Sequence, residues 1–548
     1  MGERARWLLV CVFVVVLSAC QFSAPFDAIF SAQPVIPRGG TVTLAFSDGL
    51  EVVQPWHVQS RAAEAFVTVT QAGLMRLDNV GVPQLELLAG WTAAPDGTVI
   101  TATLKPDLVW SDEQPLTSAD VAYTYAALLT FAPTTPVLRE LSVLTAVRAV
   151  DSLTVVFTLQ RPYAPLLSLW ALPILPMHVL GTQPIESLNL ITLSTGAGPF
   201  IFSEKDSAGS LHLNANPQYH RGEPFLDGLV IVPELNQKGA IDGLRTGQIG
   251  IAELMEYSGD VSLNSVSTAS IEQNSLVALV FNLRNEYVTA DPELRSIVQS
   301  AIPVSETMQL AGLTQFAAQE SLALSAHPFA ATVTVTKTID IQPLFARAGW
   351  QWDEDTRQFF KDEKPLTLRL GIDSTNQSHV RIAEALVALW RLRGLSVELI
   401  PMRRSQYLEQ FIPPFAFDMA IVEWGNGRSD SQYADTYIYD GSTYPLFARD
   451  NVNTGLPDVR PTLNLSGYTD SSYESLQISA QSLYEYQKRT SIERDALIRV
   501  LQSNAVIPLA RRMHTMVWQS SIATPKGEIN LDTPWYLWGV EQWYLAVE

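Results

Sequence analysis

The chain has 548 residues, of which 47% are hydrophobic and 17% charged, and its formal net charge is −20. A chain of this length is too long for one hydrophobic core, so several domain-sized units are expected. The strong negative charge argues against a nucleic-acid partner, because such proteins need a basic surface to displace counterions.

The first 20 residues, MGERARWLLVCVFVVVLSAC, have the pattern of an export signal. Two arginines precede an apolar run over residues 7–17, which is too short to span a bilayer. The sequence LSAC, ending at Cys20, resembles the bacterial lipobox, in which the signal is cleaved just before a diacylglycerated cysteine. The alternative is an ordinary signal peptide that ends in cysteine. We therefore expect a signal peptide at residues 1–19 and a lipid on Cys20.

The cysteine count agrees with this interpretation. The other cysteine, Cys11, lies inside the segment that would be removed. The mature chain would then carry a single thiol, which cannot form an intramolecular disulfide. A role other than a disulfide, such as lipidation, is therefore expected for this cysteine. The stretch after Cys20, QFSAPFDAIFSAQPVIPRGG, carries Pro, Ser and Gly and lacks a clear period, which indicates a tether over residues 20–38 between a lipid and the first domain. Two acyl chains are enough for stable membrane attachment.

Local patterns predict several strands and helices along the chain. Apolar and polar residues alternate over 41–46 and 99–104, which is typical of strands. Helix starts are indicated by a capping box at residues 117–120, by Asp291-Pro292, and by a second capping box at residues 490–493. The helix after Asp291 should end at Pro303, and the last of the three helices should end near Asn504.

The clearest unit covers residues 366–422. It contains a strand at 366–372, an amphipathic helix at 377–393 closed by Gly394, and further strands at 395–399 and 418–422. Strand, helix and strand in this order imply a parallel pair with a right-handed crossover. Sites in such sheets lie beyond the carboxyl ends of the strands, where Trp424 and the polar loop after it are found.

No enzyme signature is present in the sequence. It lacks the G-x-S-x-G, H-E-x-x-H and Walker motifs and any Cys/His cluster, so neither a cofactor nor a metal site is expected. His212 and His220 flank a turn predicted at Asn216-Pro217 and are not expected to share a metal. The acidic stretch 353–355 lacks the glycine and the distal glutamate of a calcium loop, and we interpret it as a solvated turn.

Several longer blocks occur in an order that is typical of one protein family. They are GLMRLDNVGVPQLELLAGWTAAPDGTVITATLKPDLVWSDEQPLTSADVAYTY, LPILPMHVL, TGAGPFIF, NPQYHRGEPFLD, GLRTGQIGIAE, LVFNLRNEYVTADPELRSIVQSAI, FDMAIVEWG, NLSGYTDSSYESL and AVIPLARR. With them, the chain from about Gly39 onward resembles the peptide/nickel-type (family 5) solute-binding proteins of ABC importers. One departure is Glu113, which replaces a glycine at a helix entry of the family pattern.

The resemblance implies an α/β fold of the periplasmic-binding-protein type, class II, with two discontinuous lobes. Lobe I would combine residues 39–276 and 505–548, with an inserted domain at about 56–189, and lobe II would cover 277–504. Two connecting segments would form a hinge, and a ligand would be enclosed in the cleft between the lobes.

The resemblance also implies a role in transport. The expected protein is a monomeric, lipid-anchored receptor on the outer face of the cell membrane, or in the periplasm. It would capture a peptide, an oligosaccharide or a similar solute and deliver it to the permease subunits of an ABC importer. One alternative is an extracytoplasmic sensor or accessory receptor without its own transporter. A remote alternative is a secreted hydrolase, which would need two carboxylates facing one cleft.

The expected ligand contacts come from two loops. Trp424, Asn426, Arg428 and Asp430 follow one strand of the second lobe, and Asp48 and Glu51 follow the first strand of the chain. An aromatic platform beside small polar groups suits a small-molecule ligand. The alternatives are that Trp424 packs in the core and that the polar residues belong to solvated loops.

The ligand class depends on two positions beside Trp424. The resemblance implies that oligopeptide binders carry an Asp three residues after this Trp for the ligand ammonium, and some carry an Arg three residues before it for the carboxylate. Here these positions are Gly427 and Ile421. An enclosed charge without a partner is costly, so we expect an uncharged, hydroxyl-rich ligand that stacks on Trp424. The alternative is that Asp430 or Asp48 supplies the missing charge.

Overall fold

The computed structural model describes residues 36–50, 52–54, 60–131, 136–181, 188–255, 266–273, 275–407, 416–425 and 466–546. The expected signal peptide, Cys20 and the tether up to residue 35 lie outside these residues. Glu51, Asn426, Arg428 and Asp430 also lie outside them. Only the main chain of Trp424 is described, as part of a strand.

The first part of the described chain mixes strands and helices as far as residue 254. Its elements are β1 Thr41–Phe46, α1 Arg61–Thr70, β2 Met75–Leu77, β3 Pro83–Leu85, β4 Leu88–Ala93, β5 Val99–Leu104, α2 Ser118–Phe131, β6 Leu144–Ala149, β7 Thr154–Leu159, α3 Leu166–Leu169, α4 Met177–Leu180, β8 Phe200–Lys205, β9 Leu211–Ala215, β10 Gly228–Val232, α5 Gln237–Thr246 and β11 Ile251–Leu254. Short 3₁₀ helices lie at Pro136–Val143 and Leu190–Thr192.

The second part runs from residue 266 to residue 546. Its elements are β12 Val266–Glu272, β13 Ser275–Phe281, α6 Pro292–Ser300, α7 Val304–Ala311, β14 Phe316–Ala318, α8 Gln342–Arg347, β15 Gln351–Asp353, β16 Gln358–Lys361, β17 Lys364–Pro365, β18 Leu368–Asp373, α9 Gln377–Leu392, β19 Val397–Met402, α10 Arg404–Gln406, β20 Met419–Gly425, α11 Ser471–Ser482, α12 Tyr486–Ser503, β21 Val506–Gln519, β22 Ile522–Thr524, β23 Gly527–Glu528 and β24 Tyr544–Leu545. Here 3₁₀ helices lie at Val288–Ala290 and Val540–Gln542.

One large sheet runs through the molecule in the order β19-β18-β20-β13-β21-β11-β1-β10-β9-β8. Strand β21 lies in the middle of this order. Its residues 506–510 pair with β13, and its residues 515–518 pair with β11. We call the part from β19 to β13 lobe II and the part from β11 to β8 lobe I. The long strand β21 therefore belongs to both lobes, and the domain boundaries expected from the sequence stay predictions.

Separate apolar cores lie on the sheet in each lobe. In lobe II, α6, α7 and α9 cover one face, where Ile382, Leu386 and Trp390 of α9 pack with strand residues such as Ile421. Helix α12 and its neighbours cover the opposite face. In lobe I, one core joins β1, α1 and an inserted unit, which we define as the antiparallel sheet β4-β5-β7-β6 together with α2.

Two predicted strands and two predicted helix starts are confirmed. Strands β1 and β5 have the predicted bounds. At the start of α2, the carboxylate of Asp120 accepts a 2.9 Å hydrogen bond from the main-chain amide of Thr117, as the capping box predicts. At the start of α6, the side chain of Asp291 accepts from the amides of Glu293 and Leu294.

The strand–helix–strand unit is also confirmed. Strand β18 pairs in parallel with β19 on one side and with β20 on the other. Helix α9 ends at Leu392, and Gly394 follows with a φ of 86°, which a glycine adopts without strain. The carboxyl ends of β18 and β20 therefore meet at the edge of the sheet where α9 begins.

The predicted start of the last long helix is wrong. Helix α12 begins at Tyr486 rather than at the predicted capping box of residues 490–493. The hydroxyl of Thr490 donates a 2.7 Å hydrogen bond to the carbonyl of Tyr486, four residues earlier and inside the helix. A threonine in the helix interior satisfies its hydroxyl in this way, so the same residues that suggest a cap also fit a continuing helix. The predicted end is confirmed at Asn504.

Candidate ligand-binding cleft

Strand β21 carries charged residues at the point where the two lobes meet. Leu509 belongs to the core of lobe II and Met516 to the core of lobe I, whereas Arg512 and His514 lie between them. Because side chains alternate along a strand, Arg512, His514 and Met516 share one face. We call Arg512, His514 and the glutamates beside them the seam. It interrupts the two apolar cores and marks the floor of the candidate cleft.

In lobe II, the seam residue is Glu423, near the carboxyl end of β20. Its Oε2 lies 3.1 Å from Nε2 of His379 and 3.4 Å from Nδ2 of Asn376, the residue that caps α9. Burial alone would raise the pKa of Glu423. The hydrogen bond and charge of His379, together with the charge of Arg512, outweigh burial and lower that pKa. Glu423 is therefore ionised at neutral pH.

The partner of Glu423 on the hinge strand is Arg512. Its Nη2 lies 3.9 Å from Oε1 of Glu423, which is close enough for attraction and too long for a hydrogen bond. Its guanidinium also lies 4.8 Å from the centre of the Phe316 ring. The side chains of Arg512 and Glu423 are 28% and 21% exposed, so both remain accessible from the cleft.

In lobe I, the seam residue is Glu253, which is buried at the end of β11. Its Oε1 lies 2.8 Å from Nδ1 of His514 and accepts a 2.8 Å hydrogen bond from Nε of Arg61. Tyr536 donates to the other oxygen over 3.3 Å. Burial would raise the pKa of Glu253, but the charge of Arg61 and the hydrogen bond and charge of His514 lower it to about 2.

Asp48, which the sequence suggests as a ligand contact, has a defined structural partner. Its carboxylate accepts hydrogen bonds from the main-chain amides of Arg61 over 2.6 Å and Ala62 over 3.1 Å. These amides open α1, so Asp48 satisfies helix donors that would otherwise lack partners. Burial is the main reason that the pKa of Asp48 is raised despite these bonds. Its role as a ligand contact stays a prediction.

The edge that carries Trp424 is the expected one. The main chain of Trp424 pairs with Leu276 at the end of β20, one residue after Glu423. This edge is also where β18 ends and α9 begins. The contacts predicted for the side chain of Trp424, and for the three loop residues after it, stay predictions.

Sequence reasoning missed Glu423, Arg512 and His379 as members of one group. A signal was present, because a glutamate interrupts the apolar strand MAIVEWG and two arginines interrupt VIPLARRMHTMVW. Charges inside otherwise buried strands need partners. The sequence alone does not show that these two strands lie close together.

The lobes also touch at a second place, away from β21. The end of α11 and the residues after it contact the inserted unit and the segment between β7 and α3. The main-chain amide of Ala164 donates a 2.6 Å hydrogen bond to the carbonyl of Gln481, and that of Tyr163 donates to the hydroxyl of Tyr484 over 3.2 Å. The ring of Tyr484 lies 5.7 Å from that of Trp91. The lobes are therefore joined through β21 and through this separate contact.

The model of the bacterial extracellular solute-binding proteins, family 5, matches residues 82–444, which is more than half of the chain. The chain belongs to this family. Its two lobes, with a shared sheet and an inserted unit, are those of a family 5 binding protein. Among the described residues, no three His, Cys, Asp or Glu side chains are grouped to hold a metal, and every helix is too short or too polar to span a bilayer.

Individual relatives of this family 5 protein are distant. The oligopeptide-binding protein AppA of Bacillus subtilis (strain 168) is 22% identical over 497 residues, which cover 85% of this chain and 89% of AppA. Protein XP55 of Streptomyces lividans is 33% identical over 159 residues, and this match spans 29% of each chain.

Solved structures share the fold at low identity. The structure of Bacillus subtilis AppA in complex with a nonapeptide covers 94% of this chain and all of its own, with a TM-score of 0.65 and 19% identity. HbpA2 of Haemophilus parasuis covers 93% of this chain and all of its own, with a TM-score of 0.74 and 16% identity. At these identities the likeness shows the fold alone.

Proposed function

We propose that this protein is the substrate-binding receptor of an ABC importer and captures a solute between its two lobes. The observation that carries the proposal is the seam, where charged and partly exposed side chains interrupt the cores of a family 5 fold. Polar groups that converge in a cleft between lobes are what a ligand site of this kind needs. Strand β21 and the segment between β12 and β13 connect the lobes and would act as the hinge.

The receptor would be held at the outer face of the cell membrane by a diacyl lipid on Cys20. The LSAC sequence and the polar stretch after it support this part of the proposal. An anchored receptor stays close to the permease subunits to which it delivers its solute. The protein would work as a monomer, because one chain supplies both sides of the cleft.

The solute would be a peptide, with an oligosaccharide as the alternative. The name of the relative AppA, an oligopeptide-binding protein that aligns over most of this chain, supports the peptide. Trp424, Asn426, Arg428 and Asp430 would contact the solute from lobe II, and Asp48 and Glu51 from lobe I. The charges of Glu423 and Arg512 at the cleft floor also favour a solute with polar or charged ends.

The test is calorimetric screening of the mature chain, carrying Cys20→Ser so that detergent is not needed. Peptides of two to nine residues would be compared with an oligosaccharide panel. Binding at micromolar or tighter affinity is expected for members of one panel, with a smaller radius of gyration in small-angle scattering. Ligand at a hundredfold excess over Kd should stabilise the protein by about 2.7 kcal/mol. Binding with an unchanged radius would contradict capture between the lobes.

A further inference from the structure

Lobe I contains a cavity that lies outside the seam. It is bounded by α1, by β2 and by residues 534–541, and its volume is about 130 Å³. A cavity of about 150 Å³ in another protein binds benzene, so this one can hold a compound of about six non-hydrogen atoms. Arg61 and Tyr536 line it and also bind Glu253, but Glu253 and the other seam residues are not among the described residues that line it. We call it the α1 cavity.

The buried charges at the α1 cavity are already paired with one another. The carboxylates of Glu86 and Glu541 are buried, and the guanidinium of Arg76 faces both. Nε of Arg76 is 3.0 Å from Oε2 of Glu86, and its Nη1 is 3.6 Å from Oε2 of Glu541. Nε of Arg221 lies 3.2 Å from the other oxygen of Glu541. Two carboxylates therefore face two guanidinium groups, and a further charge enclosed here would lack a partner. This balance favours an uncharged ligand.

Two buried oxygen atoms at this cavity lack a hydrogen-bond donor. They are Oε1 of Gln71 and Oε2 of Glu541, and no residue in the described part of the chain donates a hydrogen bond to either. Gln71 and Glu541 are 6% and 5% exposed, so bulk water does not reach these atoms freely. Buried acceptors without a donor are unfavourable. A ligand that brings at least two N–H or O–H groups would satisfy both oxygens.

Gln71 also presents a donor beside its unpartnered acceptor. Its Nε2 lies 3.5 Å from Oγ1 of Thr70, which is longer than a typical hydrogen bond. That hydroxyl itself donates a 2.7 Å hydrogen bond to the carbonyl of Phe66. The carboxamide of Gln71 thus offers Oε1 as an acceptor and Nε2 as a donor side by side. A second carboxamide is complementary to this pair, and a primary carboxamide has two N–H donors, one carbonyl acceptor and no charge.

We propose that the α1 cavity binds a small uncharged primary amide. Its two N–H groups donate to Oε1 of Gln71 and Oε2 of Glu541, and its carbonyl oxygen accepts from Nε2 of Gln71. Apolar side chains that also line the cavity suit a short alkyl group on the amide, and they include Ala72, Met75 and Leu537. This site goes beyond the proposed function, because it lies outside the cleft floor and its ligand need not be the transported solute.

The test is a titration of the full mature chain, carrying Cys20→Ser, followed by saturation-transfer NMR. The probes are isobutyramide, its isomer N,N-dimethylacetamide, and isobutyrate and butane-1,2-diol, which match them in size. Isobutyramide should bind saturably with a Kd on the order of 1 mM, as expected for so small a ligand. N,N-dimethylacetamide should bind at least about tenfold more weakly, because it has no N–H donor for the buried oxygens. Isobutyrate should also bind more weakly, because its charge would be unpaired.

Variants locate the site. Gln71→Leu keeps a side chain of similar size and removes both groups that face the amide, so it should weaken isobutyramide binding at least about tenfold. Gln309→Leu, which changes an exposed glutamine on α7, is the matched control and should leave the binding unchanged. Circular dichroism shows whether each variant is folded.

Several outcomes would overturn the inference. If no probe binds, the cavity holds water alone. If isobutyrate or the diol binds more tightly than isobutyramide, the ligand class is wrong. If folded Gln71→Leu binds isobutyramide as wild type does, the amide binds elsewhere. If Gln71→Leu does not fold, the comparison of the two isomeric amides on wild-type protein decides, since it depends on no variant. Solute capture in the cleft is tested separately and stands or falls on its own.

Discussion

The hydroxyl of Tyr484 in lobe II donates a 2.9 Å hydrogen bond to the carbonyl of Gly97 in the inserted unit, across 387 residues of sequence. The same hydroxyl accepts a bond from the amide of Tyr163. Burial raises the pKa of the Tyr484 phenol, so the group stays protonated as a donor. Because β21 joins the lobes elsewhere, this contact is a second restraint on their relative position.

We predict that Tyr484→Phe weakens the contact between the lobes in the ligand-free protein and lets them move apart. Both hydrogen bonds of the hydroxyl would be lost, which costs about 1 kcal/mol net per bond, while the ring still packs on Trp91. Small-angle scattering without ligand should show a larger radius of gyration than for wild type. Tyr544→Phe is the control, since its hydroxyl bonds to no residue in the described part of the chain. An unchanged radius in Tyr484→Phe would mean that the contact does not restrain the lobes.

We predict that Glu253→Gln is strongly destabilising. The change removes the charge that faces Arg61 and His514 in a buried site, and breaking a buried ion pair costs about 3–5 kcal/mol. The free energy of unfolding from urea titrations measures this loss. Asp242→Asn removes an exposed carboxylate paired with Lys238 and Arg245, and it should change the free energy of unfolding far less. Equal losses in the two variants would contradict this account of Glu253.

Acidification should lower stability in two ranges of pH. Burial lowers the pKa of His220 and His327 to about 3, whereas unfolded histidine titrates near 6.5. The unfolded chain then binds more protons than the folded one, so stability falls as pH drops below about 6.5. Glu253, with a folded pKa of about 2, adds a further loss below about 4.5. Urea midpoints measured from pH 8 to about pH 3 test both ranges, and a midpoint that rises on acidification would refute the prediction.

We predict that Cys20 carries the lipid. In cells that process lipoproteins, Cys20→Ser should move the protein from the membrane fraction to the soluble fraction, because the acyl chains supply the attachment. Cys11→Ser is the matched control and should leave the protein on the membrane. Recovery of wild-type protein wholly in the soluble fraction, with an unmodified amino terminus by mass spectrometry, would disprove lipidation.

Local sequence patterns predicted those elements whose signal is contained in a few residues. The alternation in β1 and β5 and the caps at Asp120 and Asp291 are of this kind, and the structure confirms them. The helix start predicted at Thr490 was wrong because this hydroxyl also forms a hydrogen bond inside a helix. For the two caps and for Thr490, the outcome depended on hydrogen bonds between residues at most four positions apart.

Local sequence patterns did not predict the seam. Glu423 meets Arg512 only because β20, β13 and β21 are neighbours in the sheet, and this order depends on contacts between distant parts of the chain. Likewise, the carboxylate of Asp48 accepts hydrogen bonds from the first amides of α1, which lie 13 and 14 residues further along the chain. The resemblance to family 5 proteins supplied the two-lobed fold, which local patterns alone did not.

The central position of β21 also determines when the cores can form during synthesis. Both β13 of lobe II and β11 of lobe I pair with this strand, which lies within the last 50 or so residues of the sequence. As a chain emerges from the ribosome, β1, β10 and β11 can pair early, yet each half of the sheet keeps one open edge. Neither lobe acquires its final strand until residues 506–519 have been made, so neither core can close before this strand is available.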